Sequence, residues 1–129
     1  MEHQNLSVVR RLYQAFASRD ASTIAQMAGS DLSLHVAGRS RFAGVHRGAE
    51  AVLKVFYATG VETDHSLRVE MHALMGDGDH VVGLHRLTAS RRGRALDQNG
   101  CVVCHVHDGS VKDVWLVVED QYAFDEFWA

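Results

Sequence analysis

Nine histidines occur in 129 residues, and they are the first candidates for chemistry. Imidazole is the usual general base near neutral pH and a frequent metal ligand. His3, His46, His65, His80 and His107 fall near termini, loops or turns, where solvent exposure is the default. His35, His72, His85 and His105 fall inside segments that read as strands. One of them closes a motif: Cys101-Val102-Val103-Cys104-His105 matches the C-x-x-C-H string of covalent haem attachment. Such a haem also needs export and a second axial ligand, and no export signal is visible. In a β run, residues 101 and 104 face opposite sides. That geometry opposes a disulfide, and also a zinc clamp built from both sulfurs with His105 and His107. The expectation is two ordinary strand cysteines, no metal and no cofactor.

Two charged clusters have blander readings. Arg91-Arg92-Gly93-Arg94 has the charge to grip an anion, but a hairpin tip is expected to be solvated. Glu119-Asp120 with Asp125-Glu126 has the charge to hold a cation, but reads as an acidic surface tail. Nucleophile-elbow, phosphate-loop, dinucleotide and zinc-protease motifs are absent from the sequence.

Length and composition bound the scaffold. The chain is short enough to form one domain over residues 1–129. Its net charge of −3 supplies no basic field for a phosphate backbone, so no nucleic-acid partner is expected. Apolar residues make up 47% and charged residues 22%, enough for a core and against disorder. No apolar run is long enough to span a membrane, and Met1-Glu2-His3-Gln4-Asn5 lacks a basic-then-apolar leader, so a cytoplasmic protein is expected. Proline is absent.

The elements that must position the histidines follow from periodicity. Leu6, Val9, Leu12/Tyr13 and Phe16 recur at helical spacing, with Asn5 as N-cap. Asp20 caps a second, short helix carrying Ile24 and Met27, with Gly29 just past its end. Residues 31–36 alternate as a strand, residues 38–44 form a loop, and a third helix runs from Gly48 to near Gly60. Strands follow at 67–75, 80–90, 95–107 and 111–118, and 119–129 is a short terminal helix or an ordered tail. A tight hairpin at Arg92-Gly93 sets residue 85 opposite residue 100 if no bulge intervenes. His85, Gln98, Gly100 and Val102 then share one face, and Cys101, Val103 and His105 the other. Helices followed by an antiparallel meander is an α+β plan.

This order of elements resembles the nuclear-transport-factor-2-like superfamily, and within it the SnoaL-like (polyketide-cyclase-like) branch. The matching pieces are the amphipathic helix over 6–18 followed by Arg19-Asp20, then Leu34-His35-Val36-Ala37-Gly38-Arg39-Ser40 and Ala43-Gly44-Val45-His46-Arg47-Gly48. Further on come Asp108-Gly109-Ser110-Val111-Lys112-Asp113-Val114-Trp115 and Glu119-Asp120-Gln121-Tyr122. The resemblance implies a cone-shaped curved antiparallel sheet wrapped around N-terminal helices, the cystatin-like α+β roll, with an apolar pocket inside. It implies homodimers through the outer sheet face, with Trp115 on that face and His72 and His105 on it or at the interface. Laid along ketosteroid isomerase, the chain has Val36 where the general-base Asp falls, Leu12 at the oxyanion-hole Tyr and Val102 at the oxyanion-hole acid. Carbanion chemistry needs a base and oxyanion donors, so that route is disfavoured. The Asp-Arg-Asp arrangement of epoxide hydrolases cannot be assembled either. Ala37 stands where many SnoaL-like sequences carry proline.

The same overlay turns His85 into the pocket near Gln98, in apolar surroundings that keep it neutral. It is the candidate acid/base or orienting residue. His35 beside the replaced base, Arg39 near the mouth, Tyr57 at the end of the third helix and Gln98 are the candidate ligand-binding residues. Two functions stand: a binding protein for a hydrophobic small molecule, without a complete catalytic constellation, and an isomerase, cyclase or hydrolase acting through His85.

Overall fold

Period-two alternation over the middle of the chain builds the longest hairpin of the protein. In the computed structural model, which describes residues 3–129, strands β4 (His80–Arg91) and β5 (Arg94–His107) pair without a break from His80↔His105 to Arg91↔Arg94. Residue 85 lies opposite residue 100, as the sequence predicts. Arg92 and Gly93 both take positive φ, 49° and 76°, the conformation whose twist matches a two-residue hairpin. Met1-Glu2, the start of the segment read for a leader, lies outside the described residues.

The remaining elements are α1 (Gln4–Ala17), α2 (Ala21–Ala28), β1 (Ser33–Val36), β2 (Gly44–Arg47), α3 (Gly48–Glu62), β3 (Arg68–Asp77), β6 (Ser110–Val118) and α4 (Gln121–Phe127). The six strands form one curved sheet in the order β2-β1-β6-β5-β4-β3. All neighbours are antiparallel except β1 and β6. This is the expected α+β plan. No helix among the described residues is long and apolar enough to cross a membrane.

Two local expectations change. The cap of α1 is His3, whose side chain accepts the Asn5 N–H at 3.2 Å, so Asn5 is not the cap. Asn5 instead sits in the first turn, and its side-chain amide donates to the Gly78 carbonyl at 3.0 Å, tying α1 to the β3–β4 turn. Residues 44–47, the first of which the sequence places in the loop, form edge strand β2 on β1; three of its four residues are exposed, so there is no apolar alternation to betray it. Register shifts occur at Met71/Ala73, which makes His72 a bulge residue, and at His105/Val106. Asp20 caps α2 as expected, accepting the Thr23 N–H at 3.0 Å.

Two apolar clusters fill the space between helices and sheet. One joins Val9 and Ile24 to Val81, Cys104 and Val106. The other joins Leu87 and Leu96 to Phe42, Phe124, Phe127 and Trp128. Each fully buried aliphatic side chain contributes about 1.5–3 kcal/mol, and Val9 is the one that α1 adds to this core.

Candidate functional site

Between the two clusters the concave face of the sheet does not close on the helices. A cavity of about 210 Å³ lies there, walled by Phe16 from α1, Phe56 from α3, Val36 from β1, Leu87 from β4, Val102 from β5, Leu116 from β6 and Trp128 beyond α4, among others. Among the described residues, no Lys, Arg, Asp or Glu is on the wall. Leu12, Val36 and Val102, the aliphatic residues at the three isomerase positions, all line it.

Two titratable side chains of the wall, Tyr13 and His85, are in contact. The Tyr13 hydroxyl lies 2.7 Å from Nδ1 of His85, with the rings edge-on at 5.6 Å. His85 is 3% exposed and points inward because β4 alternates Val81, Gly83, His85 and Leu87 toward the helices. Tyr13 reaches it because Gly83 has no side chain: a Cβ there would lie 2.5 Å from Tyr13 Cε2 and 2.6 Å from its hydroxyl. A glycine inside a strand marks such a close approach.

Burial keeps both partners neutral. Desolvation, with a smaller contribution from the like charge of His72, lowers the His85 pKa from 6.5 to about 4. Desolvation pushes the Tyr13 phenol well above its ordinary value. The direction of the hydrogen bond follows from satisfaction. If Nδ1–H donated to the phenol, the phenol proton would have no acceptor among the described residues and Nε2 would also stand unpaired. If the phenol donates to Nδ1, only Nε2–H is left over. Each buried unpaired group costs about 1–3 kcal/mol, so the second arrangement prevails. His85 is therefore the Nε2–H tautomer.

The other candidates are not gathered at this cavity. Gln98 is buried but not on the wall: its Oε1 accepts the Asp120 N–H at 2.8 Å and its Nε2 donates to the Asp120 carbonyl at 3.3 Å, holding the N-cap of α4. His35 is on the outer sheet face, stacked on Trp115 at 4.8 Å with Nε2 3.1 Å from Asp113 Oδ1. Arg39 sits in the exposed loop after β1, its backbone N–H donating to Asp125 Oδ2 at 3.0 Å. Tyr57 is 55% exposed, its ring 5.5 Å from that of Phe56, and is absent from the wall.

Sequence reasoning counted Tyr13 as part of the α1 stripe and missed its role. The available signal was Gly83, two residues before His85 on the same strand face. The hairpin cluster also departs from expectation. Arg91 is buried, not solvated: Nε meets Glu62 Oε2 at 3.1 Å, and Nη1 donates to the carbonyls of Phe127 at 3.1 Å and Ala129 at 2.9 Å. Inward alternation of β4 carries it under the end of α4, where carbonyls lack partners. In the acidic tail, Asp120 accepts the Ala123 N–H at 3.0 Å, so its charge caps α4. Cys101 and Cys104 are free, and burial pushes the Cys104 thiol up to about 12. Among the described residues, no group of three or more His, Cys, Asp or Glu side chains is placed to hold a metal ion.

Comparison with known proteins agrees with this architecture. An uncharacterized protein of Mycobacterium tuberculosis, Rv0034, is 31% identical over 126 residues, covering 97% of this chain and 96% of its own. The structure of Bal32a, from a soil-derived mobile gene cassette, superposes with a TM-score of 0.93 at 39% identity, over 98% of this chain and 97% of that one. TerC, co-crystallized with polyporic acid, shares the fold at a TM-score of 0.85 and 18% identity, over 97% and 98% of the two chains. The sequence profile of the SnoaL-like domain matches residues 9–114. The chain belongs to the SnoaL-like domain family.

Proposed function

We propose that the protein binds a hydrophobic small molecule in the cavity between sheet and helices. The observation that carries this reading is the wall itself: some 210 Å³ of space to which the described residues bring no charged side chain, with Tyr13, His85 and Thr59 among its apolar lining. Apolar pockets with few polar groups are the usual form of small-molecule sites. The TerC neighbour, crystallized with polyporic acid, supports the reading by analogy of fold. Native mass spectrometry of the purified protein, followed by organic extraction, tests it. A stoichiometric apolar compound that leaves on extraction is the expected result. A protein without bound compound, whose fluorescence no apolar dye changes, would overturn it.

The second reading, a SnoaL-like isomerase, cyclase or hydrolase, is favoured by the Tyr13–His85 contact alone. Under it, His85 orients substrate; with a pKa of about 4 and Nδ1 occupied by Tyr13, it is a poor base at neutral pH. The assembly proposed here is a homodimer through the outer sheet face, where Val45, Trp115 and Val117 are exposed. Two free cysteines suit a reducing cytoplasm.

A further inference from the structure

We propose that His80 and His105 form a two-imidazole site for a late transition-metal ion, Ni²⁺ or Zn²⁺, on the outer face of the sheet. The site follows from strand register. In an antiparallel ladder, hydrogen-bonded residue pairs alternate with open pairs. The Val106 N–H donates to the Asp79 carbonyl at 2.7 Å, which makes Asp79 and Val106 a hydrogen-bonded pair. The next pair, His80↔His105, is therefore open. Side chains approach each other most closely at open pairs. The two imidazole rings accordingly lie 5.8 Å apart and only 23° from parallel. His80 is exposed and the His105 side chain is 37% exposed, so an ion reaches both from solvent.

A carboxylate behind His105 sets the ring for this task. Nδ1 of His105 lies 3.5 Å from Asp113 Oδ2 on β6, and His80 is on β4, the other neighbour of β5. The two ring nitrogens point away from each other, so a ring with Nδ1 toward β6 turns Nε2 toward His80. A metal-bound histidine characteristically gives its second N–H to a carboxylate, which fixes the tautomer and strengthens the ligand. The other oxygen of Asp113 meets Nε2 of His35 at 3.1 Å and is held there. On the far side of the pair, Asp77 of β3 stands opposite His80. The row Asp77, His80, His105, Asp113 thus places two imidazoles between two acidic residues, without a Lys or Arg in it. Two protein ligands leave the remaining coordination positions to water. Imidazole donors favour Ni²⁺, Cu²⁺ and Zn²⁺, whereas Ca²⁺ and Mg²⁺ take oxygen ligands.

Calorimetric titration of the full chain with Ni²⁺ at neutral pH tests the site. The parent should bind one equivalent. His80→Asn and His105→Asn should each weaken binding by about a hundredfold, because the second imidazole no longer acts as a tethered ligand. Asp113→Asn should weaken it by about tenfold, since the carboxylate only orients His105. His65→Asn, on the exposed turn after α3, should leave the affinity unchanged. An ion held by two strands binds only the folded chain, so Ni²⁺ should raise the urea midpoint of the parent but not of His105→Asn. Paramagnetic broadening by Ni²⁺ should reach the His80 and His105 ring signals first, and this reading needs no substitution. Parental affinity in His80→Asn or His105→Asn, first broadening at other histidines, equal binding of Ca²⁺, or failure to bind Ni²⁺ would each overturn the proposal. Each of these outcomes concerns the outer face and leaves the reading of the cavity as it stands.

Discussion

The phenol oxygen of Tyr13 lies 2.7 Å from Nδ1 of His85, joining positions 72 residues apart across α1 and β4. It is a contact between neutral groups, and it sets which imidazole nitrogen holds the proton. Tyr13→Phe removes the donor and leaves Nδ1 buried and unpaired. The variant should lose about 1–3 kcal/mol in urea unfolding. Its His85 should also show a mixture of tautomers in long-range proton–nitrogen spectra, where the parent shows one. An unchanged tautomer would mean that the phenol does not control it.

Gly83 is the seat of that contact, so Gly83→Ala is expected to act through Tyr13. The added methyl would overlap the phenol ring and hydroxyl, at 2.5 and 2.6 Å. Overpacking of this kind costs about 1–3 kcal/mol. In a Tyr13→Leu background the same substitution should cost much less. A double-mutant cycle by urea unfolding measures the difference, and additive effects would break the link between the two residues.

Titration of His85 predicts how stability responds to acid. Its pKa is about 4 in the fold against 6.5 as the ordinary value. Between those values the unfolded chain binds a proton that the folded chain refuses. The contribution is therefore complete above pH 6.5 and is lost as the pH falls toward 4. The loss amounts to about 3 kcal/mol. Urea midpoints measured across this interval should fall more steeply in the parent than in His85→Gln. Parallel slopes would place the titration elsewhere.

The register of β4 on β5 was legible because a two-residue Arg92-Gly93 turn and strict alternation leave one pairing that buries Val81, Leu87 and Leu96 together. The placement of His85 followed from it. Edge strand β2 was not legible, since Gly44–Arg47 buries too little to leave a pattern. Tyr13 was hidden for another reason: an aromatic at helical spacing has the same signature whether it fills a core or lines a cavity. Gln98, His35 and Arg39 are polar residues whose partners come from other elements, and spacing along one strand or helix carries no information about those partners; Tyr57 turns to solvent beside Phe56 on its own helix. Arg91 is the sharpest case. Its charge reads as solvent-exposed, but its parity on β4 sends it inward, where the end of α4 supplies acceptors.

That arrangement makes Arg91 the anchor of the wall segment containing Trp128. Its side chain is fully buried and meets Glu62 as well as the carbonyls of Phe127 and Ala129. Arg91→Met keeps the volume and removes the donors. It should cost about 2 kcal/mol, chiefly from the charged hydrogen bond lost to the buried Phe127 carbonyl. Trp128 is packed against Phe42, Phe124 and Phe127, so its emission should move to longer wavelength as α4 loosens. A stable variant with unshifted emission would show that the aromatic cluster holds this end without Arg91.

The outer face of the sheet carries the last prediction. Cross-strand pairing lines up Val45, His35, Trp115, Val103 and Val82 in one row from β2 to β4. Val45 is 51% exposed, Trp115 38% and Val117 48%, an apolar surface of the kind that proteins cover with a partner. A two-fold contact between identical rows would bury it with the same residues from each copy. Trp115→Asp places a carboxylate in the middle of the row, beside Asp113, where a like charge already stands. Light scattering on a sizing column should give the mass of two chains for the parent and of one for the variant. The variant should keep the apolar-probe affinity of the cavity, because Trp115 faces away from it. A parent that elutes at the mass of one chain at every concentration would reject the homodimer.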